Sequence, residues 1–99
     1  MNKIGVLVVA YNAESTIEST LSRIPHDFVS SVYSILISDD RSKDLTSARA
    51  SNFADSSKLP IQVISQPINL GYGGNQKFGY SWAIKNEWDL VVLLHADGQ

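Results

Sequence analysis

The stretch Ile4-Gly5-Val6-Leu7-Val8-Val9-Ala10 is an unbroken apolar run, mostly β-branched, that stops abruptly at Tyr11-Asn12. It reads as a strand ending at residues able to bind something. The same ending recurs three times: Val32 to Ser38 stops at Asp39-Asp40, Ile61 to Ser65 at Gln66 to Gly74, and Leu90 to Leu94 at His95-Ala96-Asp97. In an open α/β sheet of parallel strands, ligands bind just beyond the carboxyl ends, near the point where strand order reverses. Four such stops would line one crevice.

Helical patterns lie between the runs. Asn12 can cap a helix through about Ile24, with Ile17, Leu21 and Ile24 at helical spacing and Pro25 as its stop. Asp44 suits the start of a second helix, where its charge meets the positive end of the dipole. Leu45, Ala48 and Phe53 would face inward there, and Ser56 to Pro60 would form the loop that follows. A third helix starts near Gly73-Gly74, puts Phe78 and Trp82 four apart on one face, and runs to about Glu87. The order β-α-β-α-β-α-β predicts an α/β fold, a parallel sheet with flanking helices and right-handed crossovers. Because the doubly wound rule reverses direction beside the first strand, the expected strand order is 3-2-1-4. No internal repeat or low-complexity tract interrupts the pattern.

The 99 residues, 43% hydrophobic and 18% charged, suit one unit with a modest core. A net charge of -2 with Lys and Arg scattered argues against nucleic acid as partner, which would call for a basic stripe. The absence of cysteine excludes disulfides and thiolate metal sites. The longest apolar stretches, Gly5 to Ala10 and Leu90 to Leu94, fall far short of the ~20 residues of a membrane span. Met1-Asn2-Lys3 leads straight into a strand with no small-residue cleavage site, so no signal peptide is expected and the cytoplasm is the default. The last run ends in Asp97-Gly98-Gln99 with no crossover helix after it. On that ground the chain is expected to be the N-terminal part of a larger domain. It is also expected to self-associate through an unpaired sheet edge.

Three clusters carry chemistry. In Asp39-Asp40-Arg41-Ser42-Lys43-Asp44, adjacent side chains at a strand end point to opposite sides, so one carboxylate would bind and the other brace. The binding carboxylate can accept from a base N–H or a ribose hydroxyl, while Ser42 and Asp44 satisfy N–H groups opening the next helix. The hexapeptide reads equally as a plain turn and helix cap. The run Asn69-Leu70-Gly71-Tyr72-Gly73-Gly74-Asn75-Gln76-Lys77 is glycine-rich and opens a helix, a setting for an anion such as a diphosphate. It is not a dinucleotide fingerprint, because Gln76 stands where the third glycine belongs. Asp97, beyond a buried strand, suits Mg2+ or Mn2+, hard cations that take one or two carboxylates plus substrate phosphates. His95 reads as a structural residue, a hydrogen-bond donor or a weak ligand. Tyr11 reads as a base-stacking platform or a core aromatic. His26 has no evident partner.

Taken together, Val8-Val9-Ala10-Tyr11-Asn12-Ala13-Glu14, Asp39-Asp40-Arg41-Ser42-Lys43-Asp44, Asn69-Leu70-Gly71 and His95-Ala96-Asp97-Gly98-Gln99 resemble the N-terminal half of a family 2 glycosyltransferase. The glycine loop and the His95 to Gln99 segment are closest to members resembling dolichyl-phosphate mannose synthase. The resemblance implies a Rossmann-like GT-A fold and inverting transfer of a sugar from a UDP- or GDP-linked nucleotide diphosphate sugar. A divalent metal would sit on the diphosphate, and the acceptor would be a polyprenyl phosphate or a saccharide. Ala10 and Tyr11 would then lie against the base, which Asp39 would bind. Asn12, Glu14, Asp40, Asn69, Gly71, Gly73, Lys77 and Ala96 would complete the nucleotide site, with Asp97 as the metal ligand. The catalytic base is expected beyond Gln99, and the acceptor suggests work at the inner membrane face. Three residues depart from the family pattern: His95 replaces the first aspartate of the DXD motif, Arg41 stands at a usual glycine, and Gln76-Lys77 replace Arg-Asn. The alternatives are a receiver-like module, whose acidic pair would follow the first strand, and a non-catalytic nucleotide-binding module.

Overall fold

The computed structural model describes residues 3–24 and 32–97. The chain alternates β1 (Ile4–Tyr11), α1 (Ile17–Ser22), β2 (Val32–Asp39), α2 (Thr46–Ser56), β3 (Ile61–Ser65), α3 (Gly71–Lys85) and β4 (Leu90–Asp97). All pairings are parallel and the sheet order is β3-β2-β1-β4, as the pattern predicts. Three of the four strands extend past the apolar run to include the polar residue that closes it: Tyr11, Asp39 and Asp97 all lie within strands.

Because side chains alternate along a strand, the central strand feeds two cores. Val6, Val8 and Ala10 join Ile17, Leu21, Ile24 and Ala50 under α1 and α2. Leu7 and Val9 join Ala83 and Trp88 under α3, with Phe78 and Trp82 packed against them. Two glycines allow close approach on the α3 side. A Cβ on Gly5 would come within 2.1 Å of the Trp88 ring, and one on Gly79 within 2.3 Å of Leu7. The Trp88 indole N–H is buried without a hydrogen-bond partner among the described residues.

Three local expectations need correction. The first helix does not begin at Asn12: it starts five residues later, and Thr16 at its N-cap makes no side-chain cap bond. Asn12 has φ 48°, left-handed backbone that cannot start a helix, and its side chain is used elsewhere. On α2 the inward residues are Thr46 and Ala50, whereas Leu45 and Ala48 are exposed; Phe53 packs inward as expected. The third helix begins at Gly71, two residues early, and ends at Lys85. The Pro25 stop, His26 and Gly98-Gln99 lie outside the described residues.

Candidate functional site

The carboxyl ends of the strands open on one cleft of about 1170 Å³, larger than most small-ligand pockets. β1 contributes Val9, Ala10 and Tyr11, β2 contributes Asp39, and β4 contributes His95. The loop after β2 supplies Asp40 to Asp44, and the β3–α3 connection supplies Gln66 to Asn69 with Gly71, Tyr72 and Asn75. Tyr11 is 37% exposed and borders the cleft, so it is not a core aromatic.

The adjacent carboxylates have different partners. Asp39 is buried, 2% exposed, yet borders the cleft; the Ser42 hydroxyl donates to its Oδ1, and the Ser42 N–H lies 3.4 Å from Oδ2. Two carboxylate oxygens offer about four acceptor positions, so capacity remains for a ligand N–H. Burial pushes the Asp39 carboxyl above its ordinary 3.8; the Ser42 hydrogen bonds oppose this, and the negative charges of Asp44 and Asp40 add to it. Asp40 also borders the cleft but is engaged by the β3–α3 connection. Its Oδ1 accepts the Leu70 N–H at 2.6 Å, and its carbonyl accepts from Asn69 Nδ2 at 2.9 Å.

That brace alters the reading of the glycine loop. A carboxylate already sits at the N-terminus of α3, and Asn69 Oδ1 takes the Gly71 N–H at 3.1 Å, so these opening donors are engaged within the protein. Gly71 has φ +79°, a backbone that favours glycine. Gly73 and Lys77 lie on α3 but do not border the cleft.

The loops after β1 and β2 are cross-tied. Asn12 N–H donates to Ser42 Oγ at 2.8 Å, and Lys43 N–H returns to Asn12 Oδ1 at 3.0 Å. Ala13 N–H reaches Thr46 Oγ1 at 2.8 Å, Glu14 N–H reaches Asp44 Oδ2 at 3.2 Å, and Leu45 N–H reaches Glu14 Oε1 at 3.1 Å. Asp44 Oδ1 also accepts the Thr46 N–H at 3.0 Å, opening α2 as expected, whereas Ser42 holds Asn12 and caps nothing. For Asp44, burial is the largest single influence and pushes the carboxyl up. The hydrogen bonds from Thr46 and Glu14 together outweigh it and hold the group below 3.8. Asn12 and Glu14 therefore brace the floor of the cleft without bordering it. Ala96 is core, 1% exposed. Asp97 is placed by its backbone, in register with Tyr11 at the end of β4.

Sequence reasoning missed Asn75. It is buried between Ser38 and the cleft, accepting from Ser38 Oγ at 2.6 Å and donating to the Ser38 carbonyl at 3.0 Å, while Gln66 donates to the same hydroxyl at 2.9 Å. The available signal was spacing. Asn75, Gly79 and Ala83 recur every four residues and form the buried stripe of α3, so a polar residue in that stripe needs a polar partner on the sheet.

Residues 5–99 match the family model described as glycosyl transferase family 2. The chain is 31% identical over 97 residues to a dolichol-phosphate mannosyltransferase of Pyrococcus furiosus, across 98% of this chain and 26% of that protein. It is 26% identical over 93 residues to a polyprenol monophosphomannose synthase of Mycolicibacterium smegmatis, across 94% of this chain and 34% of that one. It thus spans between a quarter and about a third of the length of these relatives. Among solved structures, S. aureus TarS 1-349 in complex with UDP-GlcNAc superposes with a TM-score of 0.74 at 23% identity, over 95% of this chain and 26% of that one. The same protein in complex with UDP gives 0.71 at 24%, over 95% and 27%. At that identity the likeness shows the fold alone. The family model covers nearly the whole chain, and on that ground the chain belongs to glycosyltransferase family 2.

Proposed function

We propose that this chain is the donor-binding part of an inverting glycosyltransferase that holds a nucleotide diphosphate sugar across the strand ends. One observation carries the reading: Asp39, a buried carboxylate with spare acceptor capacity, faces a cleft beside Ala10 and Tyr11 at the middle of the sheet. A buried acceptor flanked by an apolar strand end and an aromatic ring suits a nucleobase with an N–H on its edge. The TarS complexes with UDP and UDP-GlcNAc support a nucleotide sugar as the class of ligand. The names of the mannosyltransferase relatives support a polyprenyl phosphate acceptor at a membrane face. No helix of the described residues is long and apolar enough to cross a membrane. Leu90 and Val92, 54% and 45% exposed on the edge strand β4, are the apolar surface through which self-association would run.

Mg2+ or Mn2+ belongs to the same proposal, with Asp97 as its protein ligand. Among the described residues no group of three or more His, Cys, Asp or Glu side chains could hold a metal. A single carboxylate such as Asp97 would suit an ion that takes most of its oxygens from a ligand's phosphates, as Mg2+ commonly does. Bound there, the ion would neutralise charge on the diphosphate leaving group. Ala10, Tyr11, Asp39, Asp40, Asn69 and Gly71 border the cleft, whereas Asn12 and Glu14 support it from behind or beside. The test is calorimetric titration with UDP, GDP and their sugars, with Mn2+ and with EDTA. Binding that Mn2+ tightens in the native protein but not in Asp97→Asn is expected. Failure of every nucleotide diphosphate to bind would remove the donor-site reading, and unchanged Mn2+ dependence in Asp97→Asn would remove the metal assignment.

A further inference from the structure

The three helices do not present the same kind of surface to solvent. The exposed side chains of α1 are Glu18, Ser19 and Ser22, and those of α2 include Ala48, Arg49, Asn52 and Asp55, the polar or small residues expected opposite a buried face. α3 departs from this. Its buried stripe is Asn75, Gly79 and Ala83, with Phe78 and Trp82 packed against the core beside it. On the opposite side Gly73, Lys77, Tyr80 and Ile84 follow one another at steps of four, three and four and form one exposed stripe. Ile84 is 78% exposed and Tyr80 39%, a neighbouring i, i+4 pair and not two scattered residues. The helix is therefore apolar on both sides, which burial against the sheet alone does not require.

Charge indicates what covers this face. From Gly71 to Lys85 the helix carries Lys77 and Lys85 and no Asp or Glu, in a chain whose net charge is -2. Neither lysine has an ion-pair partner among the described residues. The next carboxylates along the chain, Glu87 and Asp89, lie beyond the helix end and are turned to Lys3: Glu87 Oε2 is 3.6 Å from Lys3 Nζ, and Asp89 Oδ2 accepts the Lys3 N–H at 2.6 Å. An apolar stripe alone would suit a protein partner equally well. Unpaired lysines on the same helix favour an anionic surface, because their stems can lie along the apolar stripe while the ammonium groups reach phosphate. A tyrosine beside the isoleucine suits the same setting, with its ring in the apolar layer and its hydroxyl among headgroups.

We propose that the outer face of α3 docks on an anionic bilayer, with Tyr80 and Ile84 at the boundary between headgroups and acyl chains and Lys77 and Lys85 on lipid phosphates. The helix begins at the cleft, which Gly71 and Tyr72 border, so laying it in the membrane plane sets the mouth of the cleft beside the bilayer. This surface goes beyond the donor-site reading and is tested without nucleotide, so either can fail while the other stands. The test is cosedimentation of the protein with vesicles of phosphatidylglycerol mixed with phosphatidylcholine, and with vesicles of phosphatidylcholine alone. Binding to the anionic vesicles that weakens as salt is raised is expected, with much less binding to the neutral ones. Ile84→Ser should lower the partition coefficient by about tenfold or more, and Ile84→Leu should keep it. Lys77→Gln and Lys85→Gln should each lower it by about fivefold. All three side chains are exposed, and unchanged thermal melting would establish that the variants fold. Absence of binding to anionic vesicles, equal binding to neutral ones, or native binding by both Ile84→Ser and the lysine variants would overturn the proposal. Sedimentation showing dimers that Ile84→Ser abolishes, without vesicle binding, would assign the face to a second copy of the chain and overturn it as well.

Discussion

The two ends of the cleft are built by different means. At the β1–β2 end, the loops 12–14 and 42–46 are laced together by hydrogen bonds running both ways between segments some thirty residues apart. At the β4–α3 end, the walls meet through Tyr72 and His95, two exposed side chains. The contrast separates residues that build the site from residues free to meet a ligand. Asn12, Ser42, Asp44 and Thr46 are polar because backbone donors must be satisfied where two parallel strands end side by side. Tyr72 and His95 are under no such obligation.

The sharpest way to break this comparison is to remove the acceptor at the centre of the laced end. Asp44→Ala leaves the N–H groups of Glu14 and Thr46 without their partner and should cost about 2–4 kcal/mol in urea unfolding. Tyr72→Ala at the open end should stay within about 0.5 kcal/mol. Similar losses for both would mean the ends are not different in kind. A smaller contrast lies within the glycine loop. Gly71→Ala forces a side chain into left-handed backbone and should cost about 1–2 kcal/mol. Gly73→Ala, helical and facing open space, should be neutral or stabilising by up to about 1 kcal/mol in thermal melts.

Acid titration should distinguish the two carboxylates by sign. Asp39 is raised in the folded state, so its contribution to stability is full below the ordinary 3.8 and is lost as pH rises through the higher folded value. Asp44 is lowered, so its contribution is present above 3.8 and is lost as pH falls through the lower folded value. Melting temperatures followed across this range should respond to pH less in Asp39→Asn above 3.8 and less in Asp44→Asn below it. The opposite assignment would overturn the burial argument for Asp39.

The sheet was legible because an apolar run ended by a polar residue is a local signal, and four of them in βα alternation leave few topologies. The bracing carboxylate of the pair was legible because side chains alternate at a strand end, and Asp40 accepts the Leu70 N–H. The helix starts were not. Asn12 looks like a cap in its own sequence, yet Ser42 and Lys43 engage it, a partnership across thirty residues that no local pattern carries. Leu45 and Ala48 failed as inward residues for a related reason. Thr46 turns inward to receive the Ala13 N–H, and that bond sets the face of α2. Lys77 and Gly73 belong to a glycine-rich run that suggests anion binding, but the helix N-terminus beneath them is already held by Asp40.

The central claim is that Asp39 meets the ligand and its neighbour Asp40 holds α3. Calorimetric titration of a nucleotide diphosphate into the Asp39→Asn and Asp40→Ala variants, with a urea unfolding curve for each, tests it most directly. Asp39→Asn should lose about 1.5–3 kcal/mol of binding free energy without loss of stability, since it removes a charge-assisted acceptor from a buried site. Asp40→Ala should instead lose stability by about 1–3 kcal/mol through the orphaned Leu70 N–H. Native affinity in Asp39→Asn, or a binding loss in Asp40→Ala as large as that expected of Asp39→Asn with stability intact, would contradict the account.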